Sequence, residues 1–148
     1  MKRLTLSALL CFASFFAFYA NGQEKQKPVI MNQPLWGPAG YNVAAYYYLP
    51  DIETYYDIPA KKFIYQEKSE WVFSNELPAK FQSYDLYRGH KVVINRPHPY
   101  FNIAAHRVRH ARFRGQANTQ LTIRDSTNPK YDIVKAQYKS PQNQGQAN

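Results

Sequence analysis

The sequence predicts a mainly β, α+β fold: a small antiparallel meander of three to four strands, then a basic amphipathic helix, then a polar, disordered tail. Three observations carry that prediction. Short runs rich in aromatic and β-branched residues recur between Tyr46 and Asn95, separated by turn-forming clusters. From Phe101 to Arg114 the apolar residues instead repeat with helical period. The closing stretch KSPQNQGQAN offers almost nothing apolar to bury.

The chain opens with Lys2 and Arg3 ahead of the apolar run LTLSALLCFASFFAFYA, which closes in Ala20-Asn21-Gly22. A charged start, a hydrophobic middle and small residues at the end make residues 1–22 a secretory signal peptide, with the mature chain starting at Gln23. The run falls slightly short of the ~20 apolar residues that span a bilayer, and an uncleaved anchor is the alternative. Cys11, the single cysteine, lies in this leader and follows Leu10, where lipoprotein processing requires a small residue. The mature chain therefore has no thiol, and its stability must come from packing rather than disulfides. Export to the periplasm or beyond is the expected destination, and no later run is long and apolar enough to cross a membrane.

Residues 23–42 read as an extended lead-in interrupted by Pro28 and Pro34, residues 43–114 as one small aromatic-rich domain, and residues 115–148 as a polar, largely disordered tail. Within the domain, IETYYDI is the first strand, PAKK a turn, FIYQEK the second strand, KSE a turn, and WVFSNEL the third strand before Pro78. With Ile58 opposite Phe63 and Glu67 opposite Glu70, alternation sorts the side chains into two sets. One face carries Ile52, Thr54, Tyr56, Ile58, Phe63, Tyr65 and Val72; the other carries Asp51, Glu53, Tyr55, Asp57, Ile64, Lys68, Trp71 and Phe73. The first set is the cleaner apolar one, so Tyr56 is expected to be more buried than Tyr55, with the carboxylates facing water and Glu53 near Lys68. HKVVIN is a fourth strand that extends the sheet and is stopped by Pro97 and Pro99.

In YFNIAAHRVRHARFRG a helix places Phe101, Ala104, Ala105, Val108 and Ala111 on one stripe, expected to lie on the sheet, and His106, Arg107, His110 and Arg114 on the other side. As a strand the arginines would change face between Arg109 and Arg112, so the helix is preferred. Arg112 falls inside the apolar stripe, where its stem can snorkel.

Charge divides the mature chain. Gln23 to Asp85 holds six Lys/Arg against eight Asp/Glu, whereas Leu86 to Asn148 holds eleven against two. This asymmetry points to an anionic partner, and for an exported protein lipopolysaccharide, lipid headgroups or acidic glycans come before nucleic acid, which is not expected; another envelope protein is the other partner class. Arg107, Arg109, Arg112 and Arg114 are the candidate anion-binding residues. A solubilising basic tail is the plainer explanation of the same asymmetry.

Tyr55, Trp71 and Phe73 share a face and are the candidate ligand platform, on which sugar rings or prolines would stack unless the rest of the chain covers them. Asp51, Glu53 and Asp57 have the spacing of a glycosidase pair, as any acidic strand does, and read more simply as a solvated edge. His106 and His110 stand four apart, the spacing of a two-histidine metal site. Arg107 replaces the glutamate that a zinc-protease helix carries there, and no acidic residue lies between Leu86 and Gln120 to complete a shell, so no metal site is assigned. No nucleophile elbow, phosphate loop or paired cysteine motif is present, and no cofactor or catalytic residue is assigned.

The succession YYYLPDIETYYDI, FIY, WVF, LP, YDLYRGHKVVIN and PY, from about Gly37 to Phe113, resembles a group of small, functionally uncharacterised exported proteins of Bacteroidetes. The resemblance implies an aromatic pattern after a signal peptide, and neither an activity nor catalytic residues. Relatives carry a glycine-containing turn before the tryptophan where this chain has Lys68-Ser69. A weaker likeness to proline-binding WW modules lacks the leading tryptophan of that module and reduces to shared meander geometry. The expected function is a non-enzymatic envelope module that contacts an anionic surface; the alternatives are a glycan-binding or glycan-processing protein and a periplasmic metal-handling protein.

Overall fold

A computed structural model describes residues 29–140. The signal segment 1–22, the start of the lead-in and the last eight residues of the tail lie outside the described residues. Five strands, β1 (Tyr46–Leu49), β2 (Thr54–Asp57), β3 (Lys62–Glu67), β4 (Glu70–Ser74) and β5 (Val92–Ile94), form one antiparallel sheet in the order β4-β3-β2-β1-β5. The mainly β, α+β fold class expected from the sequence is thus present. HKVVIN supplies β5, which joins the sheet through β1, with Tyr47 opposite Val93.

YYYLPDIETYYD is not one strand but a hairpin, with Tyr47 opposite Tyr56 and Leu49 opposite Thr54. The chain reverses because Leu49 C=O accepts the Ile52 N–H at 3.3 Å, with Pro50 at the second turn position where its fixed φ is suited, and Glu53 then adopts φ 49°. Two of the expected pairings can be compared directly. Tyr56, not Ile58, stands opposite Phe63, a shift of two residues, whereas Glu67 does face Glu70. A shift of two leaves every side chain within the strands on its original face, so the two sets survive in β2, β3 and β4, whereas Asp51 and Glu53 leave the sheet with the β1–β2 turn. Lys68 and Ser69 both take positive φ, 49° and 70°, as a two-residue type I′ hairpin loop requires without any glycine.

Both faces of the sheet are covered, and the expectation that Tyr56 is more buried than Tyr55 is corrected: Tyr55 is 0% and Tyr56 8% exposed. Tyr47, Leu49, Tyr56 and Phe63 pack beneath Trp36, Leu77, Phe81 and Tyr84. Tyr48, Tyr55 and Ile64 pack beneath Tyr100 and Ile103. These last residues belong to a 3-10 turn, Pro99–Asn102, and to helix α1, Ile103–Arg109. The helix forms where periodicity placed it, but its orientation is reversed. Ile103 and His106 are buried, whereas Phe101 and Val108 are 69% and 81% exposed and Ala104, Ala105 and Ala111 face outward with them.

The division into extended lead-in, domain and disordered tail is also corrected. Residues 34–39 run antiparallel to residues 121–124: Ala39 N–H donates to Leu121 C=O at 2.7 Å, Ile123 N–H to Gly37 C=O at 2.8 Å, and Arg124 N–H to Leu35 C=O at 3.0 Å. Helix α2 (Asp132–Lys139) follows, and Val134 with Tyr131 and Ile123 buries Ile30 in a third cluster. Tyr131 OH accepts the Gly40 N–H at 2.6 Å, and Gln33, fully buried, accepts the Tyr47 hydroxyl at 2.7 Å. A Cβ on Gly37 would lie 2.5 Å from the Tyr47 hydroxyl, so only glycine lets the lead-in approach the sheet this closely. Composition counted the polar residues of 115–140 and missed that Ile123, Tyr131 and Val134 are spaced to fill one small core.

Candidate functional site

The β1–β2 turn is where the two halves of the charge pattern meet. Glu53, lifted out of the strand by its left-handed backbone, accepts from Arg107 Nε at 2.7 Å and from Arg114 Nη2 at 2.5 Å. Asp51 accepts the Tyr84 hydroxyl at 2.7 Å and the Gly115 N–H at 2.6 Å. Both carboxylates therefore tie the turn to segments far along the chain. Glu53 meets arginines rather than Lys68, because residues 51–53 leave the sheet before reaching the β3–β4 loop. A cleft of about 240 Å³ opens beside the turn, with Asp51, Glu53, Tyr65, Lys80, Phe81 and Arg107 in its wall. Asp57 lies elsewhere and accepts the Ala60 N–H at 3.0 Å, capping the β2–β3 turn.

The aromatic platform is not available as a flat face. Tyr55 is fully buried, its hydroxyl 2.7 Å from His106 Nδ1. Trp71 is partly covered by Tyr100, with ring centroids 5.2 Å apart, and of the three residues only Phe73, 53% exposed, reaches well into solvent. Burial raises the Tyr55 hydroxyl pKa above its ordinary value, and burial with neighbouring His110, Arg109 and Arg96 lowers that of His106. Between a neutral phenol and a neutral imidazole the bond's direction follows the histidine tautomer: with the ring proton on Nε2, Tyr55 donates and His106 Nδ1 accepts. Tyr48, tilted against Tyr55 with ring centroids 4.8 Å apart, has a buried hydroxyl that meets no partner at full hydrogen-bond geometry but lies close enough to the Arg114 guanidinium for it to counter the effect of burial on the phenol.

His106 and His110 lie with ring centroids 5.6 Å apart, and burial and neighbouring arginines lower the pKa of both. Among the described residues, no group of three His, Cys, Asp or Glu side chains is arranged to hold a metal.

The four candidate arginines separate into two pairs with different tasks. Arg107 and Arg114 are turned toward Glu53. Arg109 and Arg112 are exposed, neither has an ion-pair partner among the described residues, and Arg112 lies over the Phe113 ring at 4.8 Å. Within α1, Arg109 is exposed with Ala105 and Val108; Phe101, in the 3-10 turn before the helix, and Arg112, in the 3-10 turn Ala111–Phe113 after it, are exposed as well. Glu53 as the partner of two arginines escapes sequence reading because the contacts join residues 54 and 61 positions apart. Comparison with protein-family models, with curated proteins and with solved structures gives no match.

Proposed function

We propose that this chain is an exported, non-enzymatic module of the cell envelope that binds an anionic surface through the outward side of α1 and the turn after it. The observation that carries the reading is the exposure of Arg109 and Arg112 without a carboxylate partner, in a segment whose other two arginines already share Glu53. Export rests on the leader at residues 1–22, and the likeness to exported Bacteroidetes proteins agrees with it. Against catalysis by Asp51 or Glu53 stands the commitment of each to two donors from distant segments, which makes them structural ties. Glycan binding is the second reading, supported by the cleft that combines these carboxylates with Tyr65 and Phe81.

The test is retention of the mature chain, from Gln23 onward, on immobilised lipopolysaccharide and acidic polysaccharide at low and high salt. The expected result is salt-sensitive retention that Arg109→Gln with Arg112→Gln abolishes. Retention on a neutral glycan, unaffected by salt and by those substitutions, would transfer the function to the cleft.

A further inference from the structure

Among the described residues, Val108 on α1 and Phe101 just before it are the most exposed of the large apolar side chains, at 81% and 69%. We infer that the anionic surface is a lipid one, and that the α1 segment lies in its interface with Phe101 and Val108 among the acyl chains and Arg109 and Arg112 on the phosphates. This inference rests on the function proposed above and specifies its partner.

Four features of the surface support a bilayer. First, the apolar patch continues off the helix: Phe101 and Tyr100 rings lie 4.7 Å apart, and Phe73 meets Tyr100 edge-on at 5.6 Å. Exposed phenylalanines are among the side chains that interfacial helices bury at the headgroup–acyl boundary. Second, the patch is flanked by cations. Arg96 is exposed and close enough to His106 to act on its charge, and neither it nor Arg109 nor Arg112 has an ion-pair partner among the described residues. Glu53 is committed to the other two arginines of this segment, and Asp57 to its own turn.

Third, the surface is convex. Val108 projects from the seven-residue helix and Phe101 from the 3-10 turn before it, 81% and 69% exposed, and neither lines the cleft beside the β1–β2 turn, so a deformable partner accommodates them more readily than a rigid pocket. Fourth, a second copy is a poor match, because two-fold pairing of this side would set Arg109 and Arg112 against their own counterparts. Phosphate headgroups over hydrocarbon satisfy both the charge and the apolar area at once.

The experiment is sedimentation of the mature chain with vesicles of phosphatidylcholine alone and of phosphatidylcholine mixed with phosphatidylglycerol, with lipid-free acidic polysaccharide as a parallel ligand. The substitutions are Phe101→Ser with Val108→Ser, and separately Arg109→Gln with Arg112→Gln; all four side chains are exposed, and circular dichroism verifies the fold. Binding is expected only to the phosphatidylglycerol vesicles, weakened roughly tenfold or more by the apolar pair and by the arginine pair alike. A Val108→Trp chain is expected to show fluorescence quenched by bromine-labelled acyl chains. Vesicle binding that the apolar pair leaves unchanged, without such quenching, would overturn insertion while retaining the anionic-surface reading. Binding to polysaccharide but not to vesicles would do the same, and failure to bind either would overturn both.

Discussion

Tyr48 and Tyr55 are adjacent, fully buried tyrosines of one hydrophobic cluster that differ only in what their hydroxyls meet. Tyr55→Phe removes the hydrogen-bond partner of His106 Nδ1 and is expected to cost about 1–2 kcal/mol, since a buried ring nitrogen is left unpaired. Tyr48→Phe removes a hydroxyl that meets no partner at full hydrogen-bond geometry and has only the adjacent Arg114 guanidinium to interact with, and is expected to cost less than Tyr55→Phe. Urea denaturation midpoints of the two variants read the contrast, and equal losses would show that the Tyr48 hydroxyl is satisfied after all. The titrating side chains set the pH limits. His90, His106 and His110 all have pKa values lowered below 6.5 by burial, so the folded state holds fewer protons than the unfolded chain there. Their contribution is complete above pH 6.5 and is lost as pH falls. Tyr55, Tyr56 and Tyr84 are raised above 10.0 by burial, and their contribution is lost as pH rises past that value. A melting temperature followed across pH is therefore expected to decline on both sides, and a flat acid side would exclude the buried imidazoles as its cause.

At the scale of elements, the most informative one is the β1–β2 turn. Glu53→Gln frees Arg107 and Arg114 from a partly exposed ion pair; screening by solvent limits the expected loss to about 0.5–1 kcal/mol. The same substitution adds two uncompensated cations next to the proposed binding side and is expected to strengthen retention on anionic vesicles. Measured in parallel, a lower denaturation midpoint with tighter binding is the predicted pair of changes, and weaker binding would contradict the role given to this end of α1. Alternation made β3, β4 and the Glu67–Glu70 register legible, since period-two burial is set locally by the residues themselves. The β1–β2 reversal was hidden because Ile52-Glu53-Thr54 reads as strand, although Pro50-Asp51 is a turn pair. The reversal of α1 has a different origin. Hydropathy favours Phe101, Ala104, Ala105 and Val108 as the inner stripe, but His106 becomes an interior residue once it hydrogen-bonds Tyr55, and that partner is 51 positions away. The same distance explains the site: four arginines were identifiable from the sequence, and which two were occupied was not.

For the whole molecule, the third core joins the two ends of the described chain. Tyr131→Ala removes a fully buried ring and the acceptor for Gly40 N–H, and is expected to cost about 3–5 kcal/mol. Because Ile30, Leu35 and Ala39 share that cluster, the loss is expected to expose residues 30–40 to hydrogen exchange along with α2. Exchange confined to residues 129–139 would show that the ends are held independently. Composition could not announce this core, whose members are scattered through polar sequence and meet only across 91 residues.

That closure makes the protein's architecture a latch with its catch at the far end. A chain emerging amino end first presents Trp36, Tyr47 and Tyr56 long before Ile123, Tyr131 and Val134 arrive to close over the lead-in. If the chain is exported as proposed, it must thread a translocation pore unfolded, and this order of assembly would postpone completion until most of the described chain has passed. Tethered chains of increasing length, challenged with protease, are expected to gain protection of residues 30–40 only once Val134 is free of the tether. The last segment to appear is thus the one that commits the first to its place.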